Sequence, residues 1–170
     1  MIPTLQTEHL TLRGPEARDW PAFRDYFASD RSRYTGGPAE DDKKSWILFA
    51  AEIGHWHLRG FGMWSVTLKD DTPIGLVGCW YPDLWPEQEI GWLMWDGYEG
   101  KGYAFEAATA ARAQCYGPFG WPTAVSYIHR DNARSIALAK RLGCTQDTEA
   151  VHPNADALVF RHPSPAEVLA

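Results

Sequence analysis

The sequence predicts an α/β chain, or α+β on a stricter count of its sheet, and three observations carry that prediction. Strand-like alternation and helix-like periodicity interleave from one end of the chain to the other. The run at 89–104, Glu-Ile-Gly-Trp-Leu-Met-Trp-Asp-Gly-Tyr-Glu-Gly-Lys-Gly-Tyr-Ala, reads as a buried strand, a tight glycine turn and the opening of a helix. Finally, the 170 residues contain no internal repeat and no low-complexity linker, so one domain over 1–170 is expected, long enough to bury a full core.

The elements follow in order. Leu10 and Leu12 alternate with Thr11 and Arg13, giving a first strand at about 9–14. Asp19 is placed to cap a helix over Trp20–Ala28, in which Phe23 and Phe27 share a face. Arg31–Pro38, with its Gly36-Gly37-Pro38 run, is a loop. A second helix runs from about Glu40 to Leu58, its first turn acidic at Glu40, Asp41 and Asp42. Gly62–Leu68 and Ile74–Tyr81 form a hairpin around Asp70-Asp71-Thr72-Pro73. Glu87–Trp95 is the strand that feeds the glycine turn, and alanine-rich, proline-free Phe105–Tyr116 is the helix after it. A strand at about Thr123–His129 precedes a short helix from Asn132, which Gly143 ends. A last strand lies near Asp156–Arg161, and the C-terminal end is expected to fray.

Bulk properties narrow the function classes. A net charge of −6 and a pI near 5.4 argue against binding a nucleic-acid backbone. No window approaches a membrane span and the N-terminus has no basic-then-apolar leader, so a cytoplasmic protein without membrane attachment is expected. Cys79, Cys115 and Cys144 lack metal-ligand spacing, and no metal is expected.

The glycine turn carries the chemistry. A helix N-terminus leaves its first amides without partners at the positive end of its dipole, which suits a phosphate or pyrophosphate. Two nucleotide loops fail on residues: a dinucleotide fingerprint needs glycine where Phe105 stands, and a P-loop needs Ser or Thr after Lys101, where Gly102 stands. An ordinary strand-to-helix turn remains the plain alternative.

A third loop matches. Glu99-Gly100-Lys101-Gly102-Tyr103-Ala104 resembles the acyl-CoA loop of the GNAT N-acetyltransferases, Gln/Arg-x-x-Gly-x-Gly/Ala, with Glu99 at the Gln/Arg position. The Gly-Lys-Gly-Tyr-Ala run followed by Glu106-Ala107-Ala108 is similar to the RimJ/RimL-like branch. Independently, Asn132 to Gly143 resembles that family's Asn-x-x-Ser-x-x-Leu-x-x-Lys/Arg-x-Gly segment, with Cys144 where an aromatic residue is usual. The resemblance implies a mixed, mostly antiparallel sheet splayed between its two central strands and flanked by helices. It also implies direct transfer of an acetyl group from acetyl-CoA to a primary amine, with no covalent enzyme intermediate. Carried over, backbone groups of Leu93, Met94 and Trp95 would pair with the pantetheine arm. Amides of Gly100, Lys101, Gly102, Tyr103 and Ala104 would hold the pyrophosphate, and Asn132 and Ser135 would meet the cofactor arm.

Such a transfer needs a base. A lysine-like amine with a pKa of about 10.4 costs roughly 4 kcal/mol to deprotonate at neutral pH, and an α-amine of about 8 costs about 1. Glu89, in the segment that resembles the family's Glu-Ile-Gly, is the candidate, with Glu87 in reserve and His129 a weaker one. The usual thiolate acid, a tyrosine after the leucine of the second segment, is Ala139 here. Ser135, which matches the serine of RimL-like members, is the candidate to stabilise the departing thiolate, while Tyr98, Tyr103 and Tyr127 stay open as acids. The missing tyrosine keeps a non-catalytic acyl-CoA-sensing domain as the alternative.

The acceptor is a small-molecule amine or a protein N-terminus, met by Arg31–Pro38 and about Val151–Ala155. Trp64, Trp80, Trp85 and Trp92 offer an aromatic wall for a cationic or planar group, though strand aromatics also serve as core. Trp92 and Trp95 would crowd an acyl group bulkier than acetyl. A homodimer is compatible with the sequence, which does not decide it.

Overall fold

The computed structural model describes residues 1–168. One eight-stranded sheet organises it: β1 (Leu5–Gln6), β2 (Leu10–Arg13), β3 (Met63–Leu68), β4 (Pro73–Trp80), β5 (Glu89–Met94), β6 (Val125–His129), β8 (Ala157–Arg161) and β7 (Thr145–Gln146), in that spatial order. Every neighbouring pair is antiparallel except β5 and β6. The helices are α1 (Trp20–Ala28), α2 (Asp42–Arg59), α3 (Tyr103–Tyr116), α4 (Ala133–Arg141) and the short α5 (Pro165–Val168). The elements expected from periodicity are present with ends shifted by a few residues; β1, β7 and α5 are too short to show a period. The last residues, expected to fray, form α5 as far as Val168, with the Glu167 carboxylate accepting from the Ser164 amide and hydroxyl, and 169–170 lie outside the described residues.

The sheet buries both faces. Val77 and Cys79 of β4 face α3, whose Ala107, Ala108 and Ala111 are fully buried. Those small side chains let the helix backbone lie close on the strands. Met63 and Leu76 face the other way, into an aromatic cluster of Phe23, Phe27 and Phe49 from α1 and α2. Helix α2 starts where the Asp41 carboxylate accepts from the Lys44 amide, and ends at left-handed Gly60.

Asp19 departs from its expected role. It precedes α1, but its side chain makes no cap bond. It is drawn instead to Arg13, which grips both carboxylate oxygens at 2.8 Å, and to the Ser65 hydroxyl at 2.6 Å. The buried cation on the neighbouring strand holds the carboxylate, which also accepts from the Glu16 amide at 2.9 Å and so caps the short turn before α1.

The break in the sheet makes the site. Strands β5 and β6 pair only at Glu89 and Val125, and then diverge. Beyond that point one edge of β5 has no strand beside it. The backbone direction alternates along β5: the Trp95 amide donates to Ile74 on β4, while the carbonyls of Ile90 and Met94 turn into the gap. By that alternation Leu93 and Trp95 direct their backbone groups at β4. The expectation that all of Leu93, Met94 and Trp95 offer backbone to a ligand is therefore corrected. Met94 turns its backbone into the gap, where Arg31 bonds its carbonyl, Trp92 does so by the same alternation, and the Trp95 ring is buried against Tyr26 and Phe23.

Candidate active site

Two cavities occupy the gap, one on each side of Trp92. The larger, about 700 Å³, runs between the end of β5, the glycine turn and α4. Gly100 and Gly102 hold the left-handed conformation, with φ of 74° and 86°, which sets the turn in front of α3. Among the described residues no acceptor takes the amides of 100–105; the first helical bond starts at the Glu106 amide. Gly100, Gly102, Ala104 and Phe105 line the cavity, whereas Lys101 turns out to solvent over the Tyr98 ring and Tyr103 packs on the core.

Four arginines surround this space: Arg31, Arg33, Arg134 and Arg141. Arg31 bonds the Glu99 carboxylate at 2.7 Å and the Met94 carbonyl at 3.2 Å, while its Nε is buried without a partner. Glu99 is thus held by Arg31, with Arg134 at 3.8 Å; a hydrogen bond from its own backbone amide, and then Arg31, keeps its carboxyl below the usual range. Unpaired amides and cations around one cavity fit the pyrophosphate and phosphate of an acyl-CoA.

The smaller cavity, about 540 Å³, lies between β5, β6 and α2. Glu89 stands at its floor, accepting from the Trp85 indole at 2.8 Å and from the Tyr127 amide at 3.4 Å. Burial outweighs those two bonds and pushes its carboxyl up to about 7. Glu52 of α2 lines the same cavity, and its Oε2 is buried with no partner. Burial, then repulsion from Glu89, pushes it up to about 8. Trp80, Trp85 and Trp92 form part of the wall. Trp64 does not, contrary to expectation: it is fully buried on the far side of the sheet, against Trp56.

Trp92, Leu93, Asn132 and Ser135 belong to both cavities, so the two meet there. Asn132 caps α4 by accepting from the Ser135 amide. The Ser135 hydroxyl accepts from the Trp92 indole at 3.2 Å, leaving its own proton free to donate.

Residues 9–145 match the profile of the acetyltransferase (GNAT) domain. The chain belongs to the GNAT family. It is 41% identical to an acetyltransferase from Agrobacterium tumefaciens str. C58, with a TM-score of 0.91 over 96% of both chains. RimL, a ribosomal L7/L12 α-N-protein acetyltransferase solved with coenzyme A, superposes with a TM-score of 0.76 at 17% identity, over 96% of this chain and 99% of that one. A spermidine N-acetyltransferase from Vibrio cholerae, solved with CoA and spermine, gives the same TM-score and identity over 96% and 100%. The GNAT fold read from the two motifs is thus present, and the protein is an N-acetyltransferase that uses acetyl-CoA. A domain that only senses acyl-CoA gives way to an enzyme.

Among the described residues no helix is long and apolar enough to cross a membrane, and no group of three or more His, Cys, Asp or Glu is placed to hold a metal.

Within this GNAT frame, Asn132 and Ser135 stand where the cavity of the turn glycines meets the cavity of Glu89. Glu87 is clamped by Arg161 through two bonds of 2.9 Å. His129 lines the smaller cavity with Glu89, and its Nδ1 accepts from the Asp131 amide. Of the open tyrosines, Tyr98 reaches the larger cavity; Tyr127 lies in the other one and is pushed up to about 12 by burial and then by Glu87 and Glu89. Sequence reading missed Glu52 and the arginine set. An uncompensated glutamate beside Phe49, Ala50, Ala51 and Ile53 was the available signal for Glu52.

Proposed function

We propose that acetyl-CoA lies in the larger cavity with its pyrophosphate on the turn amides, and that a primary amine enters through the smaller one. Its pantetheine arm runs along the free edge of β5, where Trp92 and Met94 turn their backbone outward. The thioester then stands at the junction of Trp92, Asn132 and Ser135.

Glu89 takes the proton from the amine. A carboxylate near 7 is half ionised at neutral pH and strong enough as a base to meet an ammonium part-way. The amine nitrogen attacks the thioester carbonyl, the C–S bond breaks, and the thiolate leaves toward the Ser135 hydroxyl. Serine is too weak an acid to deliver a full proton, so it stabilises the thiolate by donating a hydrogen bond. One observation supports this reading most: Glu89 faces only the acceptor-side cavity, while Ser135 faces both.

Thiol release from acetyl-CoA with an amine acceptor tests it. Wild-type kcat/KM should rise with pH through about 7 as Glu89 loses its proton. Glu89→Gln should lose that limb and about 100-fold or more in rate, while acetyl-CoA still raises the melting temperature. A limb that survives in Glu89→Gln removes Glu89 as the base. No melting shift in wild type removes the cofactor site.

A further inference from the structure

The two central strands part at a defined set of atoms. Where Glu89 pairs with Val125 the ladder is regular, and the Val125 amide donates to the Gln88 carbonyl at 3.1 Å. The next rung of a parallel ladder comes two residues on along each strand, and would carry the Tyr127 amide to the Ile90 carbonyl. Neither group is used that way. The Ile90 carbonyl accepts from the Ser126 hydroxyl at 2.6 Å, and the Tyr127 amide donates to the Glu89 carboxylate at 3.4 Å. One serine replaces a backbone donor, and the displaced donor goes to Glu89.

The serine is itself held in one orientation. Ser126 is buried and its single proton goes to Ile90, so toward His162 Nε2, 2.9 Å away, it can only accept. His162 therefore carries its proton on Nε2 and turns its bare Nδ1 to the Arg112 guanidinium at 3.4 Å, which only donates. Arg112 is anchored in turn on the Leu142 carbonyl at 2.7 Å. Burial, and then Arg112, push His162 down to about 3, so the ring is neutral and this chain of donors keeps one direction at neutral pH.

We infer that Ser126 is a positioning residue for the acetyl transfer: by occupying the Ile90 carbonyl it ends the ladder one rung early and leaves the Tyr127 amide to hold the Glu89 carboxylate. The inference rests on Glu89 as the base and adds how the sheet fixes it. Ser126 lines the smaller cavity with Glu89 and takes no part in the larger one. Without its hydroxyl, the ladder's own donor for the buried Ile90 carbonyl is the Tyr127 amide, and satisfying that carbonyl takes a bond from Glu89. The Tyr127 bond works against burial at the Glu89 carboxyl, so losing it makes Glu89 hold its proton more tightly. The other groups around Glu89 are common to every variant below: the Trp85 indole at 2.8 Å, Glu52 of α2 and His129 of β6 in the same cavity, and Glu87 clamped by Arg161.

The test compares Ser126→Thr with Ser126→Val, two side chains of nearly equal volume of which only threonine has a hydroxyl, with thiol release from acetyl-CoA as the readout. In Ser126→Thr the rise of kcat/KM with pH should keep its wild-type midpoint. In Ser126→Val the midpoint should move up by about 0.5–1 pH unit, the worth of one neutral hydrogen bond. The rate at pH 7 should then fall about two- to fivefold from ionisation alone, with the acetyl-CoA melting shift kept. Equal midpoints in the two variants overturn the inference, and so does a valine variant that also loses the melting shift, since Ser126 would then be a general support of the fold. Wild type supplies a check that needs no variant at 126. In 15N-labelled protein the Tyr127 amide resonance should move between pH 5 and 9 with a midpoint near 7, and that titration should vanish in Glu89→Gln. A Tyr127 amide that stays still, or that titrates equally in Glu89→Gln, overturns the inference. A kcat/KM limb that survives in Glu89→Gln removes the base assignment and the inference with it. A limb lost there but identical in Ser126→Thr and Ser126→Val removes the role of Ser126 alone.

Discussion

Ser135 concentrates the residue-scale argument, because one hydroxyl touches both cavities. It accepts from the Trp92 indole and keeps a proton to donate at the junction. Ser135→Ala should therefore lower kcat by about 10- to 100-fold, the range for one donor to developing negative charge. KM for acetyl-CoA should change far less, because the hydrogen bond strengthens only as the C–S bond breaks. Steady-state kinetics separate the two; a loss confined to KM would make Ser135 a binding residue. Glu99 carries a different lesson at this scale. The family's Gln/Arg position holds a carboxylate, and three-dimensional context neutralises it: Arg31, far away in sequence, lies 2.7 Å from it.

At the scale of elements, the turn before α3 and the break between β5 and β6 do most of the positioning. Gly102 has a φ of 86° and nothing within 4 Å of where a Cβ would stand. Alanine there is penalised by backbone conformation, at about 1–2 kcal/mol, and not by a clash. Gly102→Ala should lower the melting temperature and weaken acetyl-CoA about tenfold, because relaxing φ turns the first amides of α3 away from one point. Gly60, with a φ of 78° and open space as well, is the control. Gly60→Ala should cost similar stability at the end of α2 and leave acetyl-CoA affinity alone. Equal affinity losses in both variants, read by titration calorimetry, would remove the turn from the cofactor site. The turn and α3 were legible in the sequence, because glycine spacing and alanine content act locally. The two-residue strands were not, since a strand that short has no period to detect.

Over the whole molecule, buried titratable groups shape stability against pH. Glu52 and Glu89 are pushed up to about 8 and about 7 from ordinary values near 4.5, so the folded state holds their protons more tightly than the unfolded one. Their stabilisation is complete below about 4.5 and is lost as pH rises through 7 and 8. His162, beside Ser126 and Arg112, is pushed down to about 3 by burial and acts oppositely; its contribution is present above 6.5 and lost as pH falls. Between about pH 5 and 6.5 the two glutamates are opposed by His162 and by His55, which burial also pushes down, so stability changes little there. Below about 4.5 the depressed groups, Asp19 among them, dominate and stability falls. The melting temperature should therefore be highest at mildly acidic pH and fall toward pH 9 as the two glutamates ionise. In Glu52→Gln the alkaline fall should shrink clearly. A melting temperature that stays flat from pH 5 to 9 would contradict the burial of the pair.

The sequence by itself determined the order of elements, the glycine turn, the second motif at Asn132 and, through them, the family. Each of these is a local pattern: a period, a backbone requirement, or a motif held within one helix. The tertiary structure alone decided which backbone edge of β5 is free, because that depends on where β6 stops pairing. It also brought Glu52 opposite Glu89 and Arg31 beside Glu99, and sent Trp64 into the core and not the site. Those facts depend on how α2 and the loop before it lie across the sheet. Contacts between distant segments follow from packing, and no local pattern in the chain encodes which side chain a neighbouring element will meet.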